Sequence, residues 1–251
     1  MKPLVGKLRP ANGFARVAHL ALSAALPMLV FVLVSADFAQ VAFVVILLSK
    51  WRMFAVKPRF WPAHIRTNSV DIIVGLSLLA FMMSTDSQMW RLIWTVAYII
   101  WLTVIKPSSN VLMVSLQALI GFSLGVTALY LVGGTAPLIV LVLGTGLVCY
   151  SGAHHFFDAY NERYTKLLSF IWAWFGSSMA WVLGHWLIYY GDTLIAQPAL
   201  LLISIGYGLA VLYYLEHQDR LTSLIGKQLV FIMVAITIIV LTLSDWGDKI
   251  V

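Results

Sequence analysis

Nine apolar stretches, separated by gaps too short to fold on their own, take up most of this 251-residue chain and leave it one solvent to fold in. The hydrocarbon core of a bilayer needs about 20 apolar residues per helix, or a few fewer where flanking side chains snorkel. The stretches run over 17–34, 37–53, 69–84, 89–105, 111–132, 136–153, 167–190, 198–215 and 225–243. The second is the furthest from ideal, because its strictly apolar part runs only from Val41 to Leu48, between Gln40 and Lys50. A backbone immersed in lipid must satisfy its own hydrogen bonds, so the expected fold is all-α, a polytopic helical membrane protein of about nine transmembrane helices. The longest gap, Ser49 to Asn68, is far below the roughly 40 residues that a domain without staples needs. Residues 1–251 therefore read as a single transmembrane helical-bundle domain with no soluble domain.

Charge supports the same count independently. Only 10% of the chain is charged, where soluble proteins carry roughly a quarter, and 61% is hydrophobic. Of its 16 Lys and Arg, all but Arg91 and Lys249 fall in alternate gaps: Lys2, Lys7, Arg9 and Arg16, then Lys50, Arg52, Lys57, Arg59 and Arg66, then Lys106, then Arg163 and Lys166, then Arg220 and Lys227. The other gaps hold Asp37, Asp86, Asp192, Asp245 and Asp248. Short loops rich in Lys and Arg stay cytoplasmic, which places the N-terminus in the cytoplasm and the C-terminus outside a cytoplasmic membrane. Merging or splitting one span would invert everything downstream of it. Trp90, Trp186, Tyr189, Tyr190 and Trp246 mark the outer interface, and Trp51, Trp61, Tyr150, Tyr213 and Tyr214 the inner one. Val34-Ser35-Ala36 has the look of a signal cleavage site, but the apolar run before it exceeds the roughly 7–15 residues of a signal core, so the segment is read as a span.

The net charge of +6 lies in loops beside lipid headgroups, which makes anionic lipid the expected partner and excludes nucleic acid. Cys149 is the only cysteine, so no intramolecular disulfide or cysteine-ligated cluster can form, and neither cofactor nor metal is expected.

Few polar residues compete for a site. The most distinctive surface is the run from Lys50 to Arg66, in which Lys50, Arg52, Lys57, Arg59 and Arg66 alternate with Trp51, Phe54, Phe60 and Trp61 and no acid intervenes. Such a loop can hold anionic headgroups while its rings dip into the interface. Orienting the chain is its plainer use. Asp71 is expected in the first turn of the third span, where Ser69 could cap the helix and a carboxylate suits its dipole. Gln117, Ser123 and His185 are candidate intramembrane polar liners. His155, Asp158 and Glu162, which share one helical face, form with Asp71 a candidate interfacial polar cluster.

Short strings resemble known motifs without their settings. Gly121-Phe122-Ser123-Leu124-Gly125 resembles the nucleophile string of serine hydrolases and rhomboid proteases, yet it lies inside an apolar helix where that motif needs a strand-to-helix turn. Gln117, Gly121, Gly125 and Ala128 instead form a small face on which another helix can pack closely. Ser204-Ile205-Gly206-Tyr207-Gly208 resembles a potassium-channel filter, but no re-entrant loop surrounds it. Function is consequently expected to be that of a membrane binding or scaffold protein, contacting anionic lipid or a protein partner through its basic-aromatic loop. The alternatives are a permease for a neutral or amphipathic solute, and an enzyme acting on a lipid or lipid-linked phosphate. No catalytic motif favours the last.

Overall fold

The computed structural model describes residues 13–186, 188 and 195–244, with side chains described from residue 21 onward and that of Arg52 excepted. Its elements are helices in the order α1 (Gly13–Ser35), α2 (Ala39–Leu48), α3 (Trp61–Met83), α4 (Gln88–Ile100), α5 (Val111–Gly133), α6 (Leu138–Ala159), α7 (Thr165–Gly184), α8 (Gln197–His217) and α9 (Ser223–Thr242). Tight 3-10 turns at Trp51–Met53 and Pro58–Phe60 link α2 to α3, and α4 continues as a π-helical turn, Trp101–Ile105. The protein is thus an all-helical, membrane-embedded bundle. Among the described residues, seven helices are long and apolar enough to cross a bilayer, the segments Pro58–Met83, Gln88–Ile105, Val111–Gly133, Leu138–Ala159, Thr165–Gly184, Gln197–His217 and Ser223–Thr242. Lys2, Lys7, Arg9, Tyr189, Tyr190, Asp192, Asp245, Trp246, Asp248 and Lys249, and the side chain of Arg16, lie outside the described residues.

The second span is where the expected architecture changes. Over 37–53 only the ten residues of α2 are α-helical, a length of about 15 Å at 1.5 Å per residue and roughly half the hydrocarbon core. The helix stops where the Ser49 hydroxyl donates back to the Ile46 carbonyl at 2.6 Å and Lys50 turns inward. α3 is longer than its apolar pattern. It begins at Trp61, with Pro62 in its first turn, and its residues Pro62 to Thr67 are exposed, so the helix projects beyond the bundle before packing starts near Val70. α7 ends at Gly184, short of the expected 190.

Three turns use the same device. Asp37, Asn161 and Asp219 each adopt positive φ, of 61°, 54° and 55°, just past a helix end. The next residue's N–H then reaches back five residues, as from Phe38 to Leu33 at 2.8 Å and from Arg220 to Leu215 at 2.9 Å. Asn and Asp tolerate this left-handed conformation better than other residues with a Cβ, so these polar residues terminate helices without glycine.

Two large clusters make up most of the core among the described residues, with smaller ones around Phe156 and Leu201. In the first, α3 contributes Val74, Leu78 and Met82, which pack among Val30 of α1, Ile46 of α2 and Tyr98 of α4. In the second, α5, α6, α7 and α8 surround Phe122, Tyr130, Cys149, Ala180 and Leu202. The small face of α5 joins the two halves: a Cβ on Gly121 would lie 2.5 Å from Cγ1 of Val70, and one on Gly125 2.5 Å from Cγ2 of Ile73. Glycine therefore sets how closely α3 and α5 approach. α9 packs chiefly on α8 and faces outward over nearly its whole surface.

Candidate functional site

Asp71 is not a helix cap. α3 starts ten residues before it, Ser69 donates to the Arg66 carbonyl, and the Asp71 carboxylate is buried at the meeting point of α2, α3 and α4. Its Oδ2 accepts from two ammonium groups, an ion pair with Lys50 and one with Lys106 at 2.5 Å. Its Oδ1 accepts from Trp101 Nε1 at 2.9 Å. Among the described residues, Lys50 and Lys106 supply the charges acting on it. Lys50, expected among the surface cations, is therefore buried, with a side chain 9% exposed, whereas that of Lys106 is 40% exposed. The physical reason is electrostatic: an isolated carboxylate at this depth costs several kcal/mol, on the order of 3 or more, and the nearest lysines are drawn in to offset it.

The π turn makes this geometry possible. In an α-helix residues five apart lie about 140° apart around the axis, so Trp101 and Lys106 would face different neighbours. In the wider π turn the Lys106 N–H donates to the Trp101 carbonyl at 2.8 Å, which stacks the two residues on one face, both directed at Asp71. Gln117 of α5 caps the carbonyls at and just past the end of this turn. Its Nε2 donates to the Ile105 carbonyl at 2.6 Å and to that of Ser108 at 3.0 Å. His155 Nε2 lies 3.3 Å from Gln117 Oε1 and donates to it as the Nε2–H tautomer. Asp71, Lys50, Lys106, Trp101, Gln117 and His155 thus form one chain of contacts from α2 to α6. Tyr98, 1% exposed, lies over Gly75 one turn further along α3, and its hydroxyl has no partner among the described residues.

The other expected residues do not gather. Ser123 donates within its own helix to the Leu119 carbonyl, and His185, just past the end of α7 and exposed, lies 2.6 Å from the Trp181 carbonyl, so the three expected liners share no cavity. His155 turns to Gln117 while Asp158 stays exposed. Glu162 accepts from the Tyr213 hydroxyl at 2.6 Å and from the Tyr164 N–H at 3.3 Å, bonds that hold its carboxyl below the usual range, the tyrosine contributing most. Among the described residues no three His, Cys, Asp or Glu side chains converge as a metal site would require.

The loop after α2 keeps its surface character. Lys57, Arg59 and Arg66 are exposed, as are Trp51, Phe54 and Phe60, while the side chain of Arg52 lies outside the described residues. Trp61 Nε1 donates to the Val56 carbonyl at 3.0 Å and its ring meets Phe54 edge-on at 5.3 Å, which folds the loop back on itself. Arg59 stands 4.6 Å above the Phe60 ring.

Two grooves complete the surface. One, of about 290 Å³, lies among α5, α6, α7 and α8 with Phe122, Trp172 and Gly206 deep in it and exposed Ile171 and Leu209 on its lips. The other, of about 710 Å³, lies among α2, α3, α5 and α6, rimmed by exposed Phe43, Val44, Val132 and Leu147. Both are almost wholly apolar and open between helices, with exposed apolar side chains at their mouths.

Trp101 and Lys106 were missing from the sequence-derived site. Lys106 had been counted only as a loop charge, although an Asp and a Lys at the margins of two consecutive apolar spans are natural partners. The π turn leaves no sequence signature. Comparison of the chain with protein-family models, with curated proteins and with solved structures gave no match.

Proposed function

We propose that this protein is a lipid-binding protein of the cytoplasmic membrane, which holds anionic lipid at its basic end and acyl chains in its lateral grooves. The observation that carries this reading is the basic-aromatic surface of the loop after α2 and the start of α3, where Lys57, Arg59 and Arg66 are exposed along with Trp51, Phe54 and Phe60. Each cation near an anionic leaflet contributes about 1 kcal/mol, and the rings gain by entering the interface. The turns that follow α2 lead to the exposed start of α3, Pro62 to Thr67, where the chain leaves the bundle and meets the headgroups. The grooves are of the right chemistry for lipid chains and the wrong one for polar solutes. A permease would need Gln117, Ser123 and His185 in one path, and they have separate partners.

In this reading the basic end faces the cytoplasm. α1 crosses outward, α2 and its loop make the return, and α3 to α9 add seven crossings, which keeps the N-terminus inside and the C-terminus outside. The test is lipid association in nanodiscs of phosphatidylcholine with and without phosphatidylglycerol. Wild type should enrich spin-labelled phosphatidylglycerol, and the triple change Lys57→Gln, Arg59→Gln, Arg66→Gln should reduce that enrichment by an order of magnitude or more, as three cations at about 1 kcal/mol each imply. Equal association of both lipids with wild type would refute the proposal.

A further inference from the structure

We infer that Lys106 and Lys50, converging on Asp71, form a discrete binding site for one phosphate-bearing anion, separate from the exposed basic loop. The inference rests on the lipid-binding reading above and identifies a particular site within it.

The charges do not cancel. Two ammonium groups meet a single carboxylate on the same oxygen, and the other oxygen is taken by Trp101 Nε1. With all three groups ionised, two ammonium groups against one carboxylate leave the cluster one positive charge. A net charge beside the hydrocarbon is costly, and a counter-ion is the usual remedy. The two lysines divide the work. Lys50 is buried and pairs with the carboxylate. Lys106 is 40% exposed, and an ammonium has three N–H donors, of which the contact with Asp71 uses one. The other two donors belong to a side chain that is partly exposed.

The position of Lys106 is also built rather than incidental. It is directed at Asp71 by the π turn, and the carbonyls at the end of that turn are held by Gln117, itself contacted by His155. A lysine needed only to orient the chain would require none of this, since a flexible side chain anywhere in the loop serves that purpose. At the bundle's basic end the anion available at high local concentration is the phosphate of a lipid headgroup, and free phosphate offers the same chemistry.

Native mass spectrometry of protein released from nanodiscs that contain phosphatidylglycerol and phosphatidylcholine tests this. Wild type should retain one phosphatidylglycerol. Lys106→Gln, which leaves a neutral Lys50–Asp71 pair and so keeps the bundle folded, should retain it about fivefold less, and Lys106→Arg should restore it. The triple loop variant should keep this one lipid while losing its broader enrichment. A shift of wild type but not Lys106→Gln by inorganic phosphate, in phosphatidylcholine alone, would uphold the site with the free ion as its occupant. Equal retention by wild type and Lys106→Gln, with loss in the loop variant, would overturn the site and leave the general reading standing. No preference in wild type would overturn both.

Discussion

α3 and α9 are both membrane-spanning helices, and they could hardly be used more differently. α9 is the more apolar, with a mean hydropathy of 2.5 over its best window against 1.4 for the segment containing α3, yet 6% of that window is buried against 50% for α3. Hydropathy here measures contact with lipid, not importance to the interior. Lipid is as apolar as leucine, so a helix gains little from water exclusion by joining the bundle, and close packing and polar contacts hold it there instead. α3 has both. It meets the glycine face of α5, and its Asp71 binds α2 and α4 through three donors. α9 offers branched aliphatic side chains to the bilayer and packs chiefly on α8.

The contrast can be broken, most strongly at α3. Replacing Asp71 with Leu leaves two ammonium groups close together without a carboxylate, and the loss should be about 3–5 kcal/mol in reversible unfolding from mixed micelles. Gly121→Val forces Val70 aside at the contact of α3 with α5, and should cost about 1–3 kcal/mol by the same measurement. A smaller effect is expected at the edge near α9. There the Tyr213 hydroxyl of α8 holds the Glu162 carboxyl below its ordinary value of 4.5, so the bond adds stability above that pH, and the contribution fades as pH falls through the lowered value. Thermal unfolding followed from neutral pH downward should show this acid-side loss in wild type and its absence in Glu162→Gln. On α9 itself Phe231→Ala, at a side chain 72% exposed, should change unfolding by no more than about 0.5 kcal/mol. A large effect there would mean that α9 is a packed element and the contrast is false.

How far the sequence could be read follows the same division. Along α5, α8 and α9 apolar runs located the helices to within a few residues, whereas α6 runs on to Ala159, six residues past its expected end. Where polar contacts decide, such runs did not. The apolar pattern of α3 begins near Ser69, but the helix begins at Trp61 because exposed polar residues are equally able to be helical outside the bilayer. α2 is cut short by the inward turn of Lys50, whose reason lies 21 residues away at Asp71. Of the candidate site, Asp71, Lys50, Gln117 and His155 were legible as polar residues, spread over three groups, with Asp71 and His155 sharing one. Their union depends on a π turn and on contacts between helices, for which local pattern carries no signal. The glycine face of α5 was legible because helical spacing alone puts Gly121 and Gly125 on one side.

The central claim is that Asp71 ties the first half of the bundle together by charge rather than by shape. A double-mutant cycle of Lys50→Met and Asp71→Leu, measured by reversible unfolding in mixed micelles, addresses it directly. If the claim holds, the double variant is more stable than Asp71→Leu alone, because removing Lys50 relieves the repulsion that the missing carboxylate exposes. Two losses that simply add would contradict it.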